Sequence, residues 1–213
     1  MNDAVSNSLS PLVHLIDDDE AVRSGLALLI GTVGLRTQLW SDPERFIQDF
    51  DRQNIGAIVL DVRMPGISGL TVLDQLVAQG VDQPVIMLTG HGTVDMCRRA
   101  FKSGAAEFLE KPVDDEQLLE ALQNAIRSHV KSRQRHQGDS QARARYAQLS
   151  EREREVLGLI VAGLTNKEIG RALTLSPRTV ETHRARLFAK LETESLAQLI
   201  RQYAALVDEE SNR

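Results

Sequence analysis

Five short apolar runs alternate with five amphipathic segments between residues 12 and 128, and that alternation leaves few ways to fold. The runs span residues 12–16, 36–40, 57–60, 85–88 and 107–109. The intervening segments, at 21–33, 43–50, 70–78, 94–102 and 115–130, repeat apolar residues at helical spacing, as in Leu26/Leu29/Ile30/Val33 and Leu118/Leu119/Leu122/Ala125/Ile126. Near-continuous apolar runs suit strands covered on both faces. The pattern therefore predicts an α/β fold with a doubly wound, five-stranded parallel sheet.

Each of four runs leads into a polar side chain. Ile58-Val59-Leu60 delivers Asp61, the first run delivers Asp17, Asp18 and Asp19, the fourth delivers Thr89, and the fifth passes through Phe108 to Lys111-Pro112. Strand ends converge on one edge of a parallel sheet, where open α/β folds place their ligands. Clustered acids repel strongly unless a cation sits among them or one is protonated. Mg²⁺ suits such a cluster because it prefers hard oxygen donors, takes one or two carboxylates and keeps waters that a phosphate can displace. Lys111 then offers charge to one phosphoryl oxygen and Thr89 a hydroxyl to another. Asp61 is best placed as the nucleophile that forms an aspartyl phosphate.

Charge is unevenly divided. Residues 1–128 carry 10 Lys/Arg against 19 Asp/Glu, whereas 129–213 carry 15 against 11. A basic C-terminal part fits a nucleic-acid partner, although an ordinary mildly basic domain fits as well. Cys97 is the sole cysteine, so neither an intrachain disulfide nor a multi-cysteine zinc site can be built. The N-terminal residues lack a basic region followed by an apolar stretch, and no apolar run is long enough for a bilayer. The expected location is the cytoplasm, without membrane contact. His14 and Trp40 read as packing and His91 as a loop residue.

Residues 129–146, rich in Lys, Arg, Gln and Ser, read as a linker. Its first part continues the preceding helix as far as Gly138-Asp139-Ser140, which punctuates it. Four short helices are expected after Leu149. Capping boxes open three of them, at Ser150–Glu153, Thr165–Glu168 and Ser195–Gln198, and Ser176-Pro177 opens the remaining one. The tight Thr174-Leu175 connection makes the middle pair a helix-turn-helix within a small all-α domain. The helix after that turn concentrates DNA-compatible side chains at its start: Thr179, Val180, His183 and Arg184 for base edges, with Arg178, Lys167 and Lys190 for phosphates.

Asp17-Asp18-Asp19, Asp61 in Asp-Val-Arg-Met-Pro-Gly, Thr89 in Thr-Gly-His-Gly, and Phe108 before Lys111-Pro112 together resemble a two-component receiver domain, flavodoxin-like in fold, over 1–128. The resemblance implies Asp61 as phospho-acceptor, with Asp18, Asp61 and the Arg63 backbone carbonyl as direct Mg²⁺ ligands and Asp17 acting through water. It also implies a cis Lys111-Pro112 bond and a switch pair, Thr89 and Phe108, in which a new phosphate draws the hydroxyl and the ring turns into the vacated space.

The segments Leu149-Ser-Glu-Arg-Glu-Arg-Glu-Val-Leu, Gly163-Leu-Thr-Asn-Lys-Glu-Ile and Ser176-Pro-Arg-Thr-Val-Glu-Thr-His-Arg resemble a LuxR-type DNA-binding domain over 147–213. The combination resembles the FixJ group of transcriptional activators. Gly170 and Glu192 depart from the residues common at those places, alanine and glycine. The implied protein is not an enzyme but a regulator phosphorylated by a sensor histidine kinase. It dimerises, binds double-stranded DNA and engages RNA polymerase. Two other functions meet objections in the residues themselves. A Mg²⁺-dependent phosphatase is opposed by the lack of a second acid two residues after Asp61. A DNA-binding protein with a vestigial receiver is opposed by the complete acceptor set.

Overall fold

The computed structural model describes residues 10–211. The outermost residues of the expected ranges 1–128 and 147–213, and the N-terminal segment read for targeting, lie outside the described residues. The chain divides into two compact units, Met1–Ser132 and Arg133–Arg213.

In the first unit, β1 (Leu12–Ile16), α1 (Glu20–Thr32), β2 (Arg36–Trp40), α2 (Pro43–Asp49), β3 (Gly56–Asp61), α3 (Gly69–Ala78), β4 (Val85–Thr89), α4 (Val94–Lys102) and β5 (Glu107–Glu110) alternate before α5 (Asp115–Ala147). All strand pairs are parallel, in the order β2-β1-β3-β4-β5. The expected doubly wound sheet is the observed one. Helix starts follow local chemistry: Asp19, Asp42, Ser68 and Thr93 each turn a side-chain oxygen onto amides of the first turn that have no partner within the helix.

Strand alternation sends Val13 and Leu15 to one face, packed with Leu26 and Ile30 of α1 and Leu118, Leu122 and Ile126 of α5. Ile16, Leu60 and Met87 go to the other, against Phe46, Leu73, Leu76 and Ala100 of α2, α3 and α4. β3 is buried at every position. Continuous burial explains its unbroken apolar run and holds the strand end that carries Asp61 in a rigid setting.

The stretch expected to be a broken linker is helical throughout, since α5 continues to Ala147 through Gly138-Asp139-Ser140. A glycine inside a helix costs only about 1 kcal/mol relative to alanine. The neighbouring Gln, Arg and Ala residues are good helix formers, so one glycine does not end α5.

The second unit contains the end of α5 and four further helices, α6 (Glu151–Val161), α7 (Asn166–Leu173), α8 (Pro177–Leu191) and α9 (Leu196–Ser211). The capping boxes at Ser150/Glu153 and Thr165/Glu168 form in full. At the last, Gln198 N donates to Ser195 Oγ, but the Gln198 side chain accepts from Glu194 N instead of Ser195 N. Val156, Leu157, Ile160, Ile169, Val180, Leu187, Leu191, Leu199 and Tyr203 form the core, and Ala142 and Leu149 join it. In the stripe on α9, Leu199 and Tyr203 are core, whereas Leu196 is 44% exposed.

Candidate functional site

The carboxyl ends of β1, β3 and β5 bring three of the expected residues together. Lys111 Nζ donates to Asp17 Oδ2 and to Asp61 Oδ1, both at 2.6 Å. The backbone around them is tightly set. Asp61 Oδ2 accepts from Arg63 N at 2.8 Å, Asp17 Oδ1 accepts from Asp19 N at 3.0 Å, and the Arg23 guanidinium donates to the Asp17 carbonyl at 2.6 Å. Burial raises the Asp61 carboxyl above the ordinary aspartate range, against the opposing pull of Lys111. Burial works to lower Lys111, but its bonds to Asp17 and Asp61 outweigh that and raise it.

Gly69 is required beside this cluster. It opens α3, and its N–H donates to the Val62 carbonyl at 3.0 Å. A Cβ at Gly69 would lie 2.0 Å from the Asp61 carbonyl oxygen, a contact that backbone cannot yield without moving Asp61.

Thr89 is fully buried; its Oγ1 accepts from His91 N at 3.3 Å, and its carbonyl accepts from Lys111 N at 2.7 Å. Phe108 is half-buried against the core that holds Leu60 and Met87. Asp18 and Arg63 are exposed at the rim. The Lys111-Pro112 peptide is cis. Among the described residues no three acid, histidine or cysteine side chains converge as a metal cage. Yet Asp17 and Asp61 share a single ammonium, with Asp18 adjacent in sequence, so the donor set is short of positive charge. A hard cation that takes one or two carboxylates and retains water fits that set.

In the second unit, α7 ends at Thr174, whose left-handed backbone (φ 55°) turns the chain so that Leu175 N donates to the Gly170 carbonyl at 2.8 Å. A Cβ at Gly170 would sit 2.8 Å from the Leu175 carbonyl oxygen. Gly170, which stands where alanine is common, admits the close return of the turn. Ser176 then caps α8, with Pro177 at its start.

Thr179, Arg178 and Lys167 are exposed, and His183 and Arg184 are half-buried. Val180 is a correction: its side chain is fully buried in the helical core, so it supports α8 from beneath and does not reach a thymine methyl. Lys190 is exposed and has a partner within the fold: its ammonium binds Glu153 at 2.7 Å, which ties α8 to the first turn of α6. Burial works to raise Glu153, but bonds from Lys190 and Ser150 hold it below the ordinary glutamate range. Sequence reasoning also missed Arg23 and Gly69. Neither carries a local signal, because each is defined by a backbone atom it meets only in the fold.

Residues 13–123 match the response regulator receiver domain, and residues 147–203 match the luxR family of bacterial regulatory proteins. The transcriptional regulatory protein FixJ of Azorhizobium caulinodans is 43% identical over 89% of this chain and 90% of its own length. The C4-dicarboxylate transport transcriptional regulatory protein DctR of Rhodobacter capsulatus is 38% identical over 91% and 99%. Among solved structures, the response regulator StyR aligns with TM-score 0.81 and 35% identity over 92% of this chain and 99% of its own. Full-length FixJ from B. japonicum aligns with TM-score 0.57 and 36% identity over 91% and 96%. A parallel sheet with an acid–lysine cluster at its carboxyl edge, followed by a helix-turn-helix unit, has the same order of parts. The chain belongs to the FixJ-like two-component response regulators, transcriptional regulators in which a receiver domain is joined to a LuxR-type DNA-binding domain.

Proposed function

We propose that Asp61 is the phospho-acceptor of this regulator and that its modification switches the protein to a DNA-binding dimer. The observation that carries the reading is the Lys111 bridge between Asp17 and Asp61. A buried nucleophilic carboxylate is held beside an ammonium able to follow a phosphoryl oxygen. In the transfer from a kinase phosphohistidine, an Asp61 oxygen attacks phosphorus, and the new O–P bond forms as the P–N bond breaks. The departing imidazole nitrogen takes up a proton. Lys111 stabilises charge on the transferring oxygens, and the Thr89 hydroxyl donates to the phosphate once it has formed. Asp18, Asp61 and the Arg63 carbonyl, with Asp17 through water, are the groups we assign to Mg²⁺, which supplies positive charge to the phosphoryl group.

Withdrawal of Thr89 toward the phosphate frees space for the Phe108 ring. That ring borders the face of α4 and β5 on which Val94 and Phe101 are exposed, and we assign this face to dimer formation. Two copies of α8 then read paired half-sites with Thr179, His183 and Arg184, while Arg178 and Lys167 reach phosphates. We assign the regulator to activation through RNA polymerase in the cytoplasm. No helix among the described residues is long and apolar enough to cross a membrane.

Intact-mass measurement after treatment with a small phosphodonor and Mg²⁺ tests the reading. One phosphoryl group on the wild type and none on Asp61→Asn is expected, and equal modification of both proteins contradicts it.

A further inference from the structure

α8 ends in a conformation that its residue does not favour. Glu192, which caps the helix, has φ 50°, and only Thr174 shares a positive φ among the described non-glycine residues. L side chains adopt this region rarely, and glycine fills it without strain. The carboxylate compensates for that conformation by pairing with Arg145 in the last turn of α5. The Arg145 side chain is 29% exposed and that of Glu192 65%, so the guanidinium is partly shielded while the carboxylate faces water.

Behind this pair stands Tyr203 of α9, fully buried, whose hydroxyl donates to the carbonyl of Leu191, the last residue of α8, at 3.1 Å. Burial raises that hydroxyl above the ordinary tyrosine range, and the adjacent Arg145 guanidinium works in the opposite direction. The end of α5 is itself fixed within the second unit. Ala142 lies in the core, Arg143 makes two bonds to Glu209 at 2.9 and 3.0 Å, and Tyr146 bonds Glu210.

We propose that Arg145 and Glu192, backed by Tyr203, form a clamp that sets the direction of α8, and that both charged residues are positioning residues for DNA binding. The proposal rests on the reading of α8 as the DNA-reading helix. Leverage is the physical reason. α8 has 15 residues, and at 1.5 Å per residue a tilt of about 10° at its C-terminal end displaces its first side chains by about 4 Å, beyond the tolerance of a hydrogen bond. The clamp grips the end of α8 opposite the one that carries Thr179, and Glu153–Lys190 ties the same end to α6.

The test uses the full chain treated with phosphodonor and Mg²⁺, and a duplex that the wild type has enriched from a random pool. Arg145→Ala and Glu192→Gln are expected to weaken binding by up to about fivefold, the scale of one partly exposed ion pair. The doubly reversed protein, Arg145→Glu with Glu192→Arg, should recover most of that loss. Glu192→Gly separates positioning from stability: relief of the left-handed backbone keeps its melting temperature at or above that of the wild type, while its affinity falls to that of Glu192→Gln. Wild-type affinity in Glu192→Gly, or no recovery on charge reversal, overturns the clamp. Failure of the wild type to enrich any duplex overturns the reading of α8 on which the clamp rests.

Discussion

Lys111 and Asp61 meet at 2.6 Å across a sequence separation of 50 residues, and the same ammonium reaches Asp17 at 2.6 Å. One cation therefore serves two buried carboxylates at the edge of a sheet whose strands deliver all three groups. Removal of the lysine by Lys111→Met leaves Asp61 buried without its main compensating partner. Asp61 should move further upward, visible in a carboxyl-carbon NMR titration, and its phosphorylation by a small phosphodonor should slow by about 100-fold.

His14 makes folding stability depend on pH. It is fully buried, its Nδ1 accepts from Trp40 Nε1 at 3.2 Å, and Nε2 has no partner among the described residues. Phe46 and Phe50 rings lie 5.6 and 5.9 Å from it. Burial lowers its pKa from 6.5 to about 4, against an opposing attraction from Asp51. The folded state thus holds neutral histidine where the unfolded chain binds a proton. Stability is full above the unfolded value, declines as pH falls from about 6.5 toward 4, and by then has lost about 3 kcal/mol. Trp40 is the only tryptophan and reports unfolding directly. Urea midpoints of His14→Leu should lose this component of the pH dependence, and an unchanged slope between wild type and variant contradicts it.

Gly170→Ala separates helix propensity from packing. Propensity alone predicts a gain of about 1 kcal/mol. The Cβ position 2.8 Å from the Leu175 carbonyl predicts the opposite, a loss of about 1–3 kcal/mol as the turn opens. Thermal unfolding decides the sign.

Val180 and Arg184 should behave as opposites despite lying on one helix. Val180→Ala removes buried methyls and should cost about 2 kcal/mol of stability. Arg184→Ala should leave the melting temperature unchanged and weaken specific DNA binding by about tenfold or more. Calorimetry beside footprinting distinguishes the two.

The inner strands were legible because strands buried on both faces must be apolar almost throughout, as β1 and β3 are, whereas edge strand β2 carries Arg36, Thr37 and Gln38 and buries only Trp40. The runs at 12–16 and 36–40 coincide with β1 and β2. The other runs stop short of Asp61, Thr89 and Glu110 for a physical reason: hydrophobicity ends at the first polar side chain, while the strand continues through it. Asp61 and Thr89 are therefore parts of their strands, which fixes them more firmly than a loop does, while Asp17 and Lys111 follow directly on β1 and β5. Gly138 misled because turn propensity is weak beside a long run of good helix formers. A pattern for Val180 does exist, since Val180, Leu187 and Leu191 recur at helical spacing and share the buried face. Lys190–Glu153 and Arg145–Glu192 join residues 37 and 47 positions apart, and no local pattern encodes such partners.

Under the proposed switch, chemistry at Asp61 governs DNA binding. Affinity for an enriched duplex, measured at one fixed salt concentration with and without phosphodonor and Mg²⁺, for wild type and Asp61→Asn, tests it most directly. A phosphodonor-dependent gain in the wild type alone is the predicted result. An equal gain in Asp61→Asn, or equal affinity in all four samples, contradicts it.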